Sequence, residues 1–192
     1  MSIEPKKNLS ENSWETLMEV ARASIRNGLE KGRSVPVEAA DYSTELQAIR
    51  ASFVTLNKRG RLRGCIGHLE AIKPLIEDVA ENAYSAAFRD PRFPPLSPHE
   101  YDELDIHLSV LTPAVPLPFE SESDLIQQLR PGIDGLILVD GMARGTFLPS
   151  VWESLPKAED FLRHLKRKAG LPENHWSETL EIHRYETEVF PD

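Results

Sequence analysis

The amino-acid sequence predicts an α+β fold built from a duplicated hairpin–helix–strand unit, its mainly antiparallel sheet flanked by helices. Three observations carry that prediction. Apolar residues recur at alternate positions in some stretches and at three- and four-residue spacing in others, as strands and helices respectively require. Two pairs of short apolar runs are separated by turn sequences, Asn57-Lys58-Arg59-Gly60 and Asp140-Gly141, as hairpins are. The halves also match residue by residue: Phe53-Val54-Thr55-Leu56 precedes a turn and Arg63-Gly64, as Leu136-Ile137-Leu138-Val139 precedes a turn and Arg144-Gly145. Leu104-Asp105-Ile106-His107 is echoed by Leu180-Glu181-Ile182-His183. Repeat-like halves over about 46–112 and 130–190 therefore follow a helix at about 10–27 within a single domain spanning residues 1–192.

The elements follow in order. Ser10 caps the first helix, Trp14, Leu17, Met18, Ala21 and Ile25 form its apolar stripe, and Asn27-Gly28 offers a left-handed stop. Residues 31–45 lack a period and contain Pro36, which predicts an exposed loop. Ala51–Leu56 and Arg61–Ile66 are the strands of the first hairpin. Pro74 opens a helix with Leu75, Ile76, Val79, Ala80, Ala83 and Ala87 inward. The prolines of Asp90-Pro91-Arg92-Phe93-Pro94-Pro95 end it in a stiff corner. Leu104, Ile106, Leu108 and Val110 alternate with polar residues in a half-buried strand, and Pro113, Pro116 and Pro118 mark an extended linker. Ser121–Leu129 is a short helix, and Ile133–Val139 and Met142–Leu148 form the second hairpin, with Asp140-Gly141 favouring a type I′ turn. Pro156 opens a helix with Phe161, Leu162, Leu165 and Ala169 inward and Gly170 as its stop, and Leu180–Val189 is a last strand. Trp152 and Trp176 read as core.

Composition narrows the function. A chain of 192 residues can bury a core without a disulfide or metal staple, and its single cysteine fits a reducing, cytoplasmic setting. Met1–Asn8 contains no apolar signal segment, and no apolar run approaches the ~20 residues that span a bilayer. A net charge of −9 argues against bulk nucleic-acid binding. Two basic clusters stand out against it: Lys58, Arg59, Arg61 and Arg63, and Arg163, Lys166, Arg167 and Lys168, the latter read as a solvated helix face. Six histidines form no tight pair, so no metal is expected, and no phosphate-loop or dinucleotide fingerprint occurs.

The candidate chemistry centres on Arg61-Leu62-Arg63-Gly64-Cys65-Ile66-Gly67. Strand alternation places Leu62 and Ile66 on one face and Arg61, Arg63 and Cys65 on the other, unless a bulge at either glycine exchanges the faces. Arginines beside a thiol favour its thiolate, so Cys65 is a candidate nucleophile. His107 with Asp105 would complete a Cys–His–Asp set if their strand lies beside that of Cys65, and His68 is close in sequence. Because Cys65 aligns with Thr146 in the second half, the fold itself does not require a cysteine there.

Leu62–Gly67, Ala87-Phe88-Arg89-Asp90-Pro91-Arg92-Phe93-Pro94-Pro95-Leu96, Leu108-Ser109-Val110-Leu111 and Gly145-Thr146-Phe147-Leu148-Pro149-Ser150-Val151-Trp152-Glu153 together resemble the AMMECR family. Its bacterial and archaeal members are called AmmeMemoRadiSam system protein A. The likeness runs from about Trp14 to Phe190. It implies an α+β domain with a larger and a smaller lobe, and association with a Memo-like protein and a radical-SAM protein. It supplies no established activity and no cofactor. His107 departs from the acidic or small residue that the likeness implies there, which counts against an obligatory base.

Two readings result. In one, Cys65 with Arg61 and Arg63 forms a cysteine-centred site acting with those partners in a modification pathway. In the other, a non-catalytic binding module uses the Arg63–Gly67 loop to hold an anionic ligand or partner. There Gly64 and Gly67 let backbone N–H groups approach, and Arg61, Arg63, His68, Asp90 and Arg92 line the site. Asp90-Pro91-Arg92-Phe93 also reads as a purely structural corner.

Overall fold

The computed structural model describes residues 9–191, so the sequence reading of Met1–Asn8 lies outside the described residues. The chain divides into two compact units. The larger runs to Leu111 and resumes at Glu188, and the smaller is Thr112–Thr187.

In the larger unit the first helix, α1 (Glu11–Lys31), begins where Ser10 Oγ accepts the N–H of Ser13. It runs past Asn27-Gly28 and stops at Gly32, whose φ of 69° is left-handed. Gly28 is a packing glycine instead: a Cβ there would lie 2.2 Å from the Phe88 ring. Asn27 turns its side-chain amide to the carbonyls of Arg33 and Ser34, tying down the segment that follows. That segment is not a featureless loop, since Val35, Val37, Ala39 and Tyr42 pack on the core before the short helix α2 (Thr44–Gln47).

Strands β1 (Ser52–Lys58) and β2 (Arg61–Gly67) form the first hairpin. Its turn residues, Arg59 and Gly60, both have positive φ (50° and 74°), the type I′ pattern. Helix α3 (Leu75–Phe88) covers one face of the sheet, its six expected apolar residues all buried, and β3 (Leu104–Leu111) pairs with β1 on the side away from β2. The sheet order is β2-β1-β3-β8, the last strand being β8 (Thr187–Phe190).

The smaller unit contains β4 (Val115–Pro116), α4 (Glu122–Gln128), β5 (Gly135–Asp140), β6 (Ala143–Phe147), α5 (Ala158–Lys168) and β7 (Glu181–Tyr185), with sheet order β4-β7-β5-β6. Trp152 stacks on Phe161 at 3.8 Å and donates its indole N–H to the Asp134 carbonyl. In this hairpin only Gly141 has positive φ, so the turn follows the type II′ pattern and not the expected I′. The expected last strand is two. At Glu186 the backbone N–H and carbonyl bond to Thr112 Oγ1 and N–H instead of a ladder, and β8 (Thr187–Phe190) then joins the other sheet.

The duplication is explicit in the registers. Thr55 faces Cys65 on one side and His107 on the other, and Ile137 faces Thr146 and His183 in the same way. Leu56, Gly64 and Ile106 correspond to Leu138, Gly145 and Ile182. One difference separates the repeats. Leu56 pairs with Gly64 but Asn57 pairs with Leu62, so Arg63 is a bulge residue, whereas Val139 pairs with Arg144 without interruption. Arg63 therefore has no counterpart, and Leu62 occupies the position of Arg144.

Candidate functional site

That bulge reorganises the predicted site. Partners across a ladder share a face, so Leu62, opposite Asn57, lies on the face of Cys65, Thr55 and His107, away from α3. The expected sorting, with Arg61, Arg63 and Cys65 together, is overturned. Arg63 is folded in, 8% exposed, and Leu62 is turned out, 43% exposed.

Arg63 grips Glu100 from two nitrogens, Nε to Oε1 at 3.1 Å and Nη2 to Oε2 at 3.1 Å, and Nη2 also donates to the Pro94 carbonyl at 2.9 Å. Its carbon centre lies 5.9 Å from the centroid of the Phe93 ring. Nη1 is buried and has no hydrogen-bond partner among the described residues. Glu100 also accepts from Lys58 Nζ at 3.0 Å, and from the Ser97 N–H and Oγ. Arg63 first, then the Ser97 N–H, holds the Glu100 carboxyl well below the usual carboxylate range. Arg59 pairs with Glu103, while Arg61 is exposed and forms no ion pair among the described residues. Lys58, Arg59, Arg61, Leu62, Arg63 and Glu100 together line a concavity of about 510 Å³.

Cys65 is half-buried outside that concavity, with Thr55 Oγ1 3.3 Å from its sulfur. Its backbone edge is occupied. The Cys65 N–H donates to Asp90 Oδ2 at 2.9 Å, and Arg92 Nη2 reaches its carbonyl at 3.4 Å. Asp90, buried at 4% exposure, is bound by Arg92 through Nε and Nη2, and these bonds foremost hold its carboxyl far below the usual range. The Asp90–Arg92 pair thus stands in for a neighbouring strand on the open edge of β2, which supports the structural-corner reading.

The other candidates sit apart. His107 shares Cys65's face, but β1 lies between their strands, which separates their backbones by about two strand spacings, roughly 10 Å. Its Nε2 pairs with Asp105 at 3.1 Å, so those two are together and Cys65 is not with them. His68 turns to the helix-covered side, where Nδ1 meets Asp78 at 2.7 Å. Asp78 is buried and also accepts the Ser52 N–H, the Ser52 hydroxyl and the Asn82 amide. The missing side chains of Gly64 and Gly67 make room for the Ala86 carbonyl and the Phe53 ring, so both glycines have a packing role.

Sequence reasoning missed Glu100, the residue that organises the cations. Its signal was present as Ser97-x-x-Glu100, the spacing at which a carboxylate returns to the N-cap N–H. The second basic cluster is largely occupied: Arg163 pairs with Asp160 and Glu173, Arg167 with Glu173, buried Lys166 with Glu122, and Lys168 donates to the Thr146 carbonyl. Among the described residues, no helix is long and apolar enough to cross a membrane.

The family model described as AMMECR1 matches residues 18–190. A protein of Methanothermobacter thermautotrophicus is 41% identical over 188 residues, covering 95% of each chain. One from Thermotoga maritima is 40% identical over 168 residues, covering 86% of this chain and 91% of its own. The crystal structure of an uncharacterised protein from Pyrococcus horikoshii superposes with a TM-score of 0.73 at 35% identity, covering 92% of this chain and 90% of that one. The chain belongs to the AMMECR1 family.

Proposed function

We propose that the chain is a binding module that takes an anionic group of a partner protein into the concavity at the tip of the β1–β2 hairpin. The carrying observation is electrostatic. Among the described residues, Lys58, Arg59, Arg61 and Arg63 pair with two carboxylates, Glu100 and Glu103, which leaves a surplus of two positive charges around exposed Leu62. The whole chain carries −9, so this surplus of positive charge gives an acidic partner a favoured point of approach. Arg63 Nη1 adds a donor without an acceptor, which an incoming carboxylate or phosphate supplies after a small shift of the guanidinium.

Cysteine-centred chemistry draws less support. Cys65 lies outside the concavity, Arg63 is committed to Glu100, and the two histidine candidates lie two strands away and on the other face. A Memo-like or radical-SAM protein, the partners that the sequence resemblance implies, is the first to test.

Pull-down of such a partner by wild type and by Arg61→Glu, at low and moderate salt, measures the contribution of the concavity. Arg61 is chosen because it is exposed and its reversal leaves the Arg63–Glu100 pair in place. The expected outcome is salt-sensitive capture that drops at least tenfold in the variant. Equal capture by both proteins at both salts removes the hairpin as the docking site.

A further inference from the structure

The smaller unit carries a second concavity of opposite character, and its chemistry is independent of the basic hairpin. A groove of about 630 Å³ runs beside the short edge strand β4, between Pro116–Glu120 and Trp176–His183. Its floor is apolar: Leu117, Leu180 and Ile182 are buried beneath it. Its wall is aromatic. The Phe119 and Trp176 rings meet at 5.3 Å and 59°, and Trp176, expected in the core, is 38% exposed.

The rim is acidic. Glu120, Glu178 and Glu181 line the groove, joined by His183, whose Nε2 is 3.5 Å from Glu181, and among the described residues no lysine or arginine lines it. The Trp176 ring already carries a cation: Lys166 Nζ, wholly buried and paired with Glu122, lies 5.6 Å from its centroid. An aromatic wall with three carboxylates beside a single histidine, above an apolar floor, is the complement of a chain that alternates cationic and apolar residues.

We infer that this groove docks an extended segment of a partner protein carrying lysine or arginine beside proline or aliphatic residues. A second copy of this chain would bring a net −9 to the acidic rim, offset only at its own basic hairpin, so self-association is kept as an outcome of the test. Shape decides against a free amine, because small-molecule sites enclose most of their ligand and this groove opens broadly to solvent.

The test uses the full chain, ¹⁵N-labelled, titrated with a ten-residue peptide of alternating lysine and proline. The Trp176 indole N–H is identified by its loss in Trp176→Phe. The expected result is a saturable shift of that signal while the Trp14 and Trp152 indoles stay in place. Affinity should fall at least tenfold in Glu178→Lys, an exposed position whose replacement spares the fold. A peptide with glutamine for lysine should not bind. Three results would overturn the inference: an unmoved Trp176 signal, equal affinity in Glu178→Lys, or an equal shift produced by n-butylammonium at the same concentration. A Trp176 shift that depends on protein concentration without peptide would also overturn it, assigning the groove to self-association.

Discussion

Gly64 and Cys65 are neighbours with opposite tolerances. A Cβ on Gly64 would lie 2.0 Å from the backbone oxygen of Ala86, which cannot rotate away, so Gly64→Ala must push α3 off the sheet. We expect a loss on the order of 3 kcal/mol, the upper end for overpacking a filled site. Cys65→Ser keeps the size of the side chain, and its register mate Thr146 already fills the same place with a hydroxyl. It should cost less than about 1 kcal/mol. Urea melts of the two variants measure both, and similar losses would mean that Cys65 belongs to the packing. Sequence marked Gly64 as special but for the wrong reason. The position of its missing side chain is filled by a helix remote in sequence, which no local pattern reports.

Single elements were the most legible part of the chain. The apolar inward residues of α3 and β3 follow from their periods alone, because each element buries one continuous face, whereas in α5 Lys166, expected on a solvated face, is wholly buried where it pairs with Glu122. Boundaries were harder wherever a tertiary contact decided them. Helix α1 continues through Gly28 because Phe88 packs there, and the last strand breaks because Thr112 satisfies Glu186. The β5–β6 turn shows such a contact with a pH signature. Asp140 pairs with Ser177, Thr179 and His175, each at 2.6 Å, and the two hydroxyls foremost lower its pKa to about 2. An unfolded aspartate titrates near 3.9, so between these values the unfolded chain binds the extra proton. The stabilisation is therefore complete above about pH 4 and lost as pH falls toward 2. Asp140→Asn should flatten this part of the acid limb in urea melts taken from pH 2 to 5. Parallel limbs for wild type and variant would show that the turn network contributes nothing to acid stability.

For the whole molecule, the duplication was visible because strand registers preserve Ile106-His107 against Ile182-His183 and Gly64 against Gly145. The bulge was not. An extra residue in a ladder leaves the composition of the strand unchanged, yet it turned Arg63 inward and Leu62 outward. That one residue separates the thiol from Arg61 and Arg63 and brings Arg63 and Lys58 together on Glu100 near the hairpin tip, which favours recognition over cysteine chemistry. The decisive competitor within the chain is the second basic cluster, on and beside α5, whose four cations Arg163, Lys166, Arg167 and Lys168 face three carboxylates, Asp160, Glu173 and Glu122. A decaglutamate peptide titrated into the ¹⁵N-labelled chain tests the two directly. Amide shifts should concentrate on Lys58–Arg63, collapse in Arg61→Glu and weaken with added salt. Shifts centred on Arg163–Lys168, or a hairpin response unchanged by Arg61→Glu, would contradict docking at the hairpin.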